Sequence, residues 1–190
     1  MYDRLQANVI CILEFVKSLH VDAAAAMGSS PVLLDVDGVL TDGRLYFTNS
    51  GDEMKSFSTL DGHGIKMLMR SNINVGIITG RTSQLLSKRA ADLGITLMYQ
   101  GREDKHNVLA AICADTQTPL ESIAYAGDDF PDLPVLRQVG LAFSVPRGHP
   151  DVKACVHAIT SAEGGFGAVR EIADFILRCQ NQYHQHLNWT

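Results

Sequence analysis

Positive charge is scarce in this sequence: 16 Lys and Arg stand against 21 Asp and Glu, a formal net charge of −5. Counterion release on a phosphate backbone has no broad basic field to work with, so nucleic acid is not expected as a partner. Cysteine is nearly as sparse. Cys11, Cys113, Cys155 and Cys179 lie far apart with no C-x-x-C or other metal-ligand spacing, and are read as reduced and mostly buried. No apolar run approaches the length that crosses a bilayer, so no membrane partner is expected. Residues 9–16 followed by alanines at 23–26 imitate a secretory leader, but Asp3 and Glu14 interrupt its start and middle, and a cytoplasmic protein is expected. Low-complexity tracts and internal repeats are absent, and 46% hydrophobic with 19% charged residues suits a folded chain.

At 190 residues one compact domain is expected. It is drawn over residues 31–180, after an N-terminal helical extension over 1–30 and before a polar tail over 181–190 expected to be disordered. Leu5, Val9, Ile12, Leu13 and Val16 recur at three- and four-residue spacing, which predicts an amphipathic helix in the extension. Pro31 then precedes Val32-Leu33-Leu34, a buried strand that runs into Asp35-Val36-Asp37-Gly38. Two short β-prone runs around Asn49-Ser50-Gly51-Asp52 predict a hairpin over 45–57. After it, helices (65–70, 83–93, 105–114, 131–138, 167–179) alternate with strands (75–78, 97–99, 123–126, 141–145, 157–160). Gly94 with Ile95 suits a left-handed helix stop, and Thr118-Pro119-Leu120-Glu121 has capping-box spacing. The alternation implies an α/β fold, a doubly wound parallel sheet covered by helices on both faces.

In such a sheet ligands bind at the C-terminal edge of the strands, where Asp35, Asp37, Thr79, Asp128 and Asp129 fall. Side chains two apart on a strand share a face, so Asp35 and Asp37 can act on one site. A carboxylate can attack phosphorus and divide a difficult hydrolysis into two displacements, the role expected of Asp35. The second can protonate the leaving oxygen and later deprotonate water, the role expected of Asp37. Four carboxylates around a phosphate dianion make physical sense only with a hard cation, and Mg²⁺ is expected. Its ligands would be Asp35, the backbone carbonyl of Asp37, and Asp128, while Lys105 and Thr79 hold the other phosphoryl oxygens.

Leu34-Asp35-Val36-Asp37-Gly38-Val39-Leu40-Thr41-Asp42, Ile78-Thr79-Gly80-Arg81, Lys105 and Gly127-Asp128-Asp129-Phe130-Pro131-Asp132 together resemble the four motifs of haloacid dehalogenase superfamily phosphatases. The resemblance implies a Rossmann-like core, nucleophile Asp35, acid/base Asp37, phosphate contacts Thr79 and Lys105, and metal ligands Asp35, Asp37 and Asp128, with Asp129 and Asp132 supporting the metal end. A narrower similarity over residues 30–178, to the 3-deoxy-D-manno-octulosonate 8-phosphate phosphatase family, rests on Asp61-Gly62-His63-Gly64-Ile65, Tyr99-Gln100-Gly101 and Gly164-Gly165-Phe166-Gly167-Ala168-Val169-Arg170-Glu171. It implies a phosphorylated sugar acid as substrate, in lipopolysaccharide precursor synthesis. Relatives of this type usually carry Arg where Phe166 stands, so a nine-carbon sugar acid phosphate stays open as substrate. A phospho-acceptor signalling domain and a non-catalytic oligomerisation module of the same fold are the competing classes.

Arg81, just past a strand end, and Arg170 are candidate substrate-binding cations. The histidines show no mutual ligand spacing, and a hard-cation site needs none of them. Asp37 and Thr79 are 42 positions apart and Thr79 and Lys105 only 26, which leaves no room for a large cap domain. The expected fold is therefore capless with a protruding hairpin. An isolated two-stranded element is marginal alone and gains by pairing with copies of itself, and a homo-oligomer is expected, the tetramer that the resemblance implies.

Overall fold

A computed structural model describes residues 31–187. The helix expected within residues 1–30 and the last three residues of the tail lie outside the described residues. The centre is a six-stranded parallel sheet in the order β5-β4-β1-β6-β7-β8, formed by β1 (Val32–Leu34), β4 (Val75–Ile78), β5 (Leu97–Tyr99), β6 (Ala124–Ala126), β7 (Leu141–Ser144) and β8 (Ala158–Ile159). The helices are α1 (Thr59–Arg70), α2 (Gln84–Leu93), α3 (Lys105–Thr116), α4 (Leu133–Leu136), α5 (Pro150–Lys153) and α6 (Ala168–Cys179).

The period of two in β1 decides how the layers form. Val32 and Leu34 join Ile65, Leu68, Ile172 and Ala173 of α1 and α6 on one face. Leu33 joins Val108, Leu109 and Ile112 of α3 on the other. A strand buried on both faces has to be continuously apolar, as β1 and β4 are, and β7 is so over 141–143 before it ends on the buried Ser144.

Local chemistry sets most boundaries. Ser58 caps α1 by accepting from the N–H groups of Leu60 and Asp61. Gly94, at φ 84°, ends α2, and Ile95 N–H donates to Ala90 O at 2.9 Å. The expected capping box at Thr118 does not form: Pro119 precedes a single 3₁₀ turn, Leu120–Ser122, without a side-chain cap. The box occurs instead at Asp129 and Asp132 around the 3₁₀ turn Phe130–Asp132, so the helix expected from Pro131 is a 3₁₀ turn followed by α4. The disorder expected after Gln180 is not found over residues 181–187. Tyr183–His186 form a 3₁₀ turn, Arg178 lies over the Tyr183 ring, and Ser71 Oγ and His186 Nε2 are 2.9 Å apart.

The hairpin pairs β2 (Tyr46–Phe47) with β3 (Glu53–Met54) as a separate antiparallel sheet. Leu45, Tyr46, Phe47 and Met54 are exposed on it. Phe57 instead packs against the core, so it is not part of the exposed hairpin surface.

Candidate active site

β1 lies between β4 and β6, so the ends of three adjacent strands bring residues distant in sequence to one edge. Asp35 N–H still donates to Ala126 O at 2.9 Å as the chain leaves the sheet. It then makes a wide turn, Val36–Leu40, closed by Thr41 N–H donating to Val36 O at 3.0 Å. Inside this turn Gly38 adopts φ 107°, and a Cβ there would overlap the Asp128 carboxylate. Only glycine lets Asp128 approach so closely.

Asp35, Lys105, Tyr125 and Asp132 form a buried network. Lys105 Nζ donates to Asp35 Oδ1 and Asp132 Oδ1, each at 2.6 Å, and Tyr125 OH donates to Asp132 Oδ1 at 2.6 Å. Asp132 Oδ2 accepts the N–H groups of Asp128 at 3.0 Å and Asp129 at 3.2 Å. Burial, then the nearby Asp132 charge, pushes the Asp35 carboxyl up to about 8 against the pull of Lys105. Burial, then Asp132 and Asp129, pushes Asp128 up to about 7. For Lys105, burial works against the ammonium, but Asp35 and Asp132 outweigh it and the pKa is raised.

Among the described residues Asp35, Asp128 and Asp132 offer oxygens within 4.8 Å of one another, a grouping able to hold a cation. Asp132 is ill suited to bind one directly, because both its oxygens already accept two hydrogen bonds each. Asp35 and Asp128 are the better donors. Their hard oxygens and burial-penalised charges fit a small divalent cation of the Mg²⁺ kind.

A second charged layer sits outside the first. Lys55, its side chain only 3% exposed, pairs with Asp37 Oδ1. Arg81 Nη2 donates to Glu53 Oε1 at 2.8 Å, and its Nε lies 3.7 Å from Asp37 Oδ2. The hairpin is thereby tied to the Asp37 turn directly by the Lys55–Asp37 pair and indirectly through Arg81, which bridges Glu53 and Asp37. Sequence reading missed Lys55; a lysine among Met54, Ser56 and Phe57 was the available signal, but its partner is 18 positions upstream across the hairpin.

Thr79 is buried at the end of β4, and its Oγ1 accepts the Arg81 N–H at 3.4 Å. Asp129 is exposed and caps the 3₁₀ turn through Phe130 N–H at 2.8 Å. Arg170 is not brought to the carboxylates: its Nε pairs with Asp174 at 2.7 Å on the same helix. Phe166 is 64% exposed.

No family model matches the chain. It is 46% identical over 151 residues to the 3-deoxy-D-manno-octulosonate 8-phosphate phosphatase KdsC of Yersinia pestis, covering 80% of this chain and 81% of that protein. Among solved structures, the 3-deoxy-D-manno-octulosonate 8-phosphate phosphatase of Moraxella catarrhalis, in complex with a magnesium ion, a phosphate ion and a KDO molecule, superposes with a TM-score of 0.84 at 38% identity, covering 87% of this chain and 95% of that one. A haloacid dehalogenase (HAD) superfamily hydrolase of subfamily III A from Legionella pneumophila gives a TM-score of 0.85 at 38% identity, covering 90% and 94%.

Proposed function

The chain belongs to the 3-deoxy-D-manno-octulosonate 8-phosphate phosphatase family of the haloacid dehalogenase superfamily, and from that membership we propose that it hydrolyses this phosphate monoester to the free sugar acid and phosphate, with Mg²⁺. The observation that carries the reading is the buried Asp35–Lys105–Asp132 arrangement beside Asp128, in a chain whose relatives of that name match it over most of its length.

Asp35 attacks phosphorus and takes the phosphoryl group, and water then releases it. Asp37 gives its proton to the leaving sugar oxygen and recovers one from the attacking water. Lys105, held between Asp35 and Asp132, and Thr79 face the phosphoryl oxygens. Asp35, Asp128 and the Asp37 carbonyl hold Mg²⁺, which neutralises phosphate charge when bound. Asp132 orients Lys105 and the Asp128 backbone, and Asp129 keeps the 3₁₀ turn closed. Arg81 leaves Glu53 to meet the substrate, while Arg170, paired with Asp174, makes no substrate contact within its own subunit.

Phosphate release from a panel of eight-carbon and nine-carbon sugar acid phosphates, hexose phosphates and nucleotides tests the reading. Turnover confined to the nine-carbon substrates would relocate the specificity, and no turnover anywhere would leave a non-catalytic module. Phe166 makes the eight-to-nine-carbon comparison the informative one.

Asp37→Asn is expected to lower turnover about a hundredfold to ten-thousandfold, the usual range for a lost general acid. Phosphate release by the variant within tenfold of wild type would remove Asp37 from that role. Gly38→Ala is expected to weaken activation by Mg²⁺ about tenfold to a hundredfold, since the new Cβ displaces Asp128. An unaltered Mg²⁺ titration curve would contradict that placement.

The working unit is a homotetramer in the cytoplasm, in which neighbouring subunits cover the open site. The exposed apolar hairpin supports this, because Leu45, Tyr46, Phe47 and Met54 leave an apolar face uncovered in one subunit. Phe47→Ser is expected to shift the light-scattering mass toward smaller species and raise KM. A fully active wild-type monomer at assay concentration would reject the shared site.

A further inference from the structure

The Asp61-Gly62-His63-Gly64 motif has no part in the reaction described above, yet Asp61 is buried and spends both oxygens on another element. Its Oδ1 accepts the Arg170 N–H at 2.9 Å and its Oδ2 the Gly167 N–H at 3.2 Å. A carboxylate in the first turn of α1 thus caps the N-terminus of α6, 106 positions downstream. Gly167, at φ 110°, has no side chain to make that cap itself. Burial pushes the Asp61 carboxyl up, and the N–H groups of Arg170 and Gly167 draw it back.

Just upstream of the cap the chain returns to the site. Gly165 N–H donates to Val39 O at 3.0 Å, and a Cβ on Gly165 would lie 2.7 Å from Asp42 N. A Cβ on Gly164 would overlap Gly38 O. Residues 164–165 therefore pack backbone to backbone against the turn that carries Asp37. The start of α1 has a second link to the same turn, because its cap Ser58 follows Lys55, the partner of Asp37, by three residues.

We propose that Asp61 is a positioning residue for the reaction: by fixing the start of α6 it holds the Gly164–Gly165 backbone against the Val36–Leu40 turn, and so holds Asp37 in register with the leaving oxygen. It touches neither substrate nor metal. The inference rests on the acid/base role given to Asp37.

The test compares Asp61→Asn with Ile176→Val, which removes a methyl from the buried face of α6 and serves as a control for plain loss of stability. Asp61→Asn keeps the shape but turns an N–H toward one of the two donors. It is expected to lower kcat about tenfold to a hundredfold, as small misplacements of catalytic groups do. KM should stay within about twofold, because ground-state binding is untouched. Hydrogen exchange should quicken over both 160–167 and 36–43. Ile176→Val should lower the melting temperature and leave kcat and exchange over 36–43 as in wild type. Wild-type exchange over 36–43 in Asp61→Asn, or equal losses of kcat in both variants, would overturn the proposal. If Asp61→Asn does not fold, Gly165→Ala strikes the same link from its other end and must quicken exchange over 36–43 while sparing 168–179; unchanged exchange over 36–43 overturns the proposal. The exchange measurement needs no substrate, so a wild-type protein that releases no phosphate would refute the functional reading and leave the coupling result standing.

Discussion

Replacing Asp35 by Asn is expected to leave turnover below about one-thousandth of wild type in a protein that stays folded, the order of loss seen when a covalent nucleophile is removed. The amide keeps the size of the carboxylate but cannot attack phosphorus. Folding should survive for a local reason. Lys105 retains Asp132 as its charged partner at 2.6 Å and can still donate to the amide oxygen. The Asp35 carboxyl is in any case pushed up to about 8 by burial, so an uncharged group at this position is no burden near neutral pH. A melting temperature within about 4 °C of wild type is expected, corresponding to a change of roughly 1 kcal/mol. Steady turnover near the wild-type rate would refute the covalent role. Loss of the folded signal would instead make Asp35 a structural group.

Stripping divalent metal with a chelator is expected to bring phosphate release to background, and Mg²⁺ to restore it. The same titration should appear in stability. In the metal-free protein Asp35 and Asp128 are raised from 3.8 to about 8 and about 7. Over that window the folded state binds more protons than the unfolded chain, so metal-free stability is greatest below about pH 4 on this account and falls as pH rises toward 8. A bound cation favours the ionised carboxylates and opposes that fall. The melting-temperature gain from Mg²⁺ should therefore grow between pH 5 and pH 8. At a free concentration about a hundredfold above its Kd, Mg²⁺ would contribute about 2.7 kcal/mol, or roughly 5 to 10 °C for a domain of this size. A gain that is flat with pH would dissociate these carboxylates from the metal, and activity that persists after thorough chelation would remove the metal from the reaction.

The contrast between Asp132 and Asp128 shows how far residue types carry a reading. Both are acidic and both follow β6, and each was expected at the metal end. The difference lies in how many donors each carboxylate already satisfies. Asp132 is saturated by Lys105, Tyr125 and two backbone N–H groups. The Asp128 oxygens instead lie against Gly38 and within reach of Asp35. Arg170 makes the same point in reverse: its charge was visible in the sequence, but the i, i+4 pairing with Asp174 on α6 occupies its Nε.

By itself the sequence determined the alternation of strands and helices, the capless hairpin insertion, and the positions of Asp35, Thr79, Lys105 and Asp128 at the strand ends or the helix start that form one edge. These are legible because apolar runs, turn formers and strand-end polar residues are local signals, readable within a window of about ten residues. Tertiary structure alone decided that Lys55 pairs with Asp37, that Asp132 rather than solvent holds Lys105, and that Asp61 caps α6. Those partners are separated by 18, 27 and 106 positions. Which distant donor reaches which buried carboxylate is set by how the layers pack, and no local pattern encodes that.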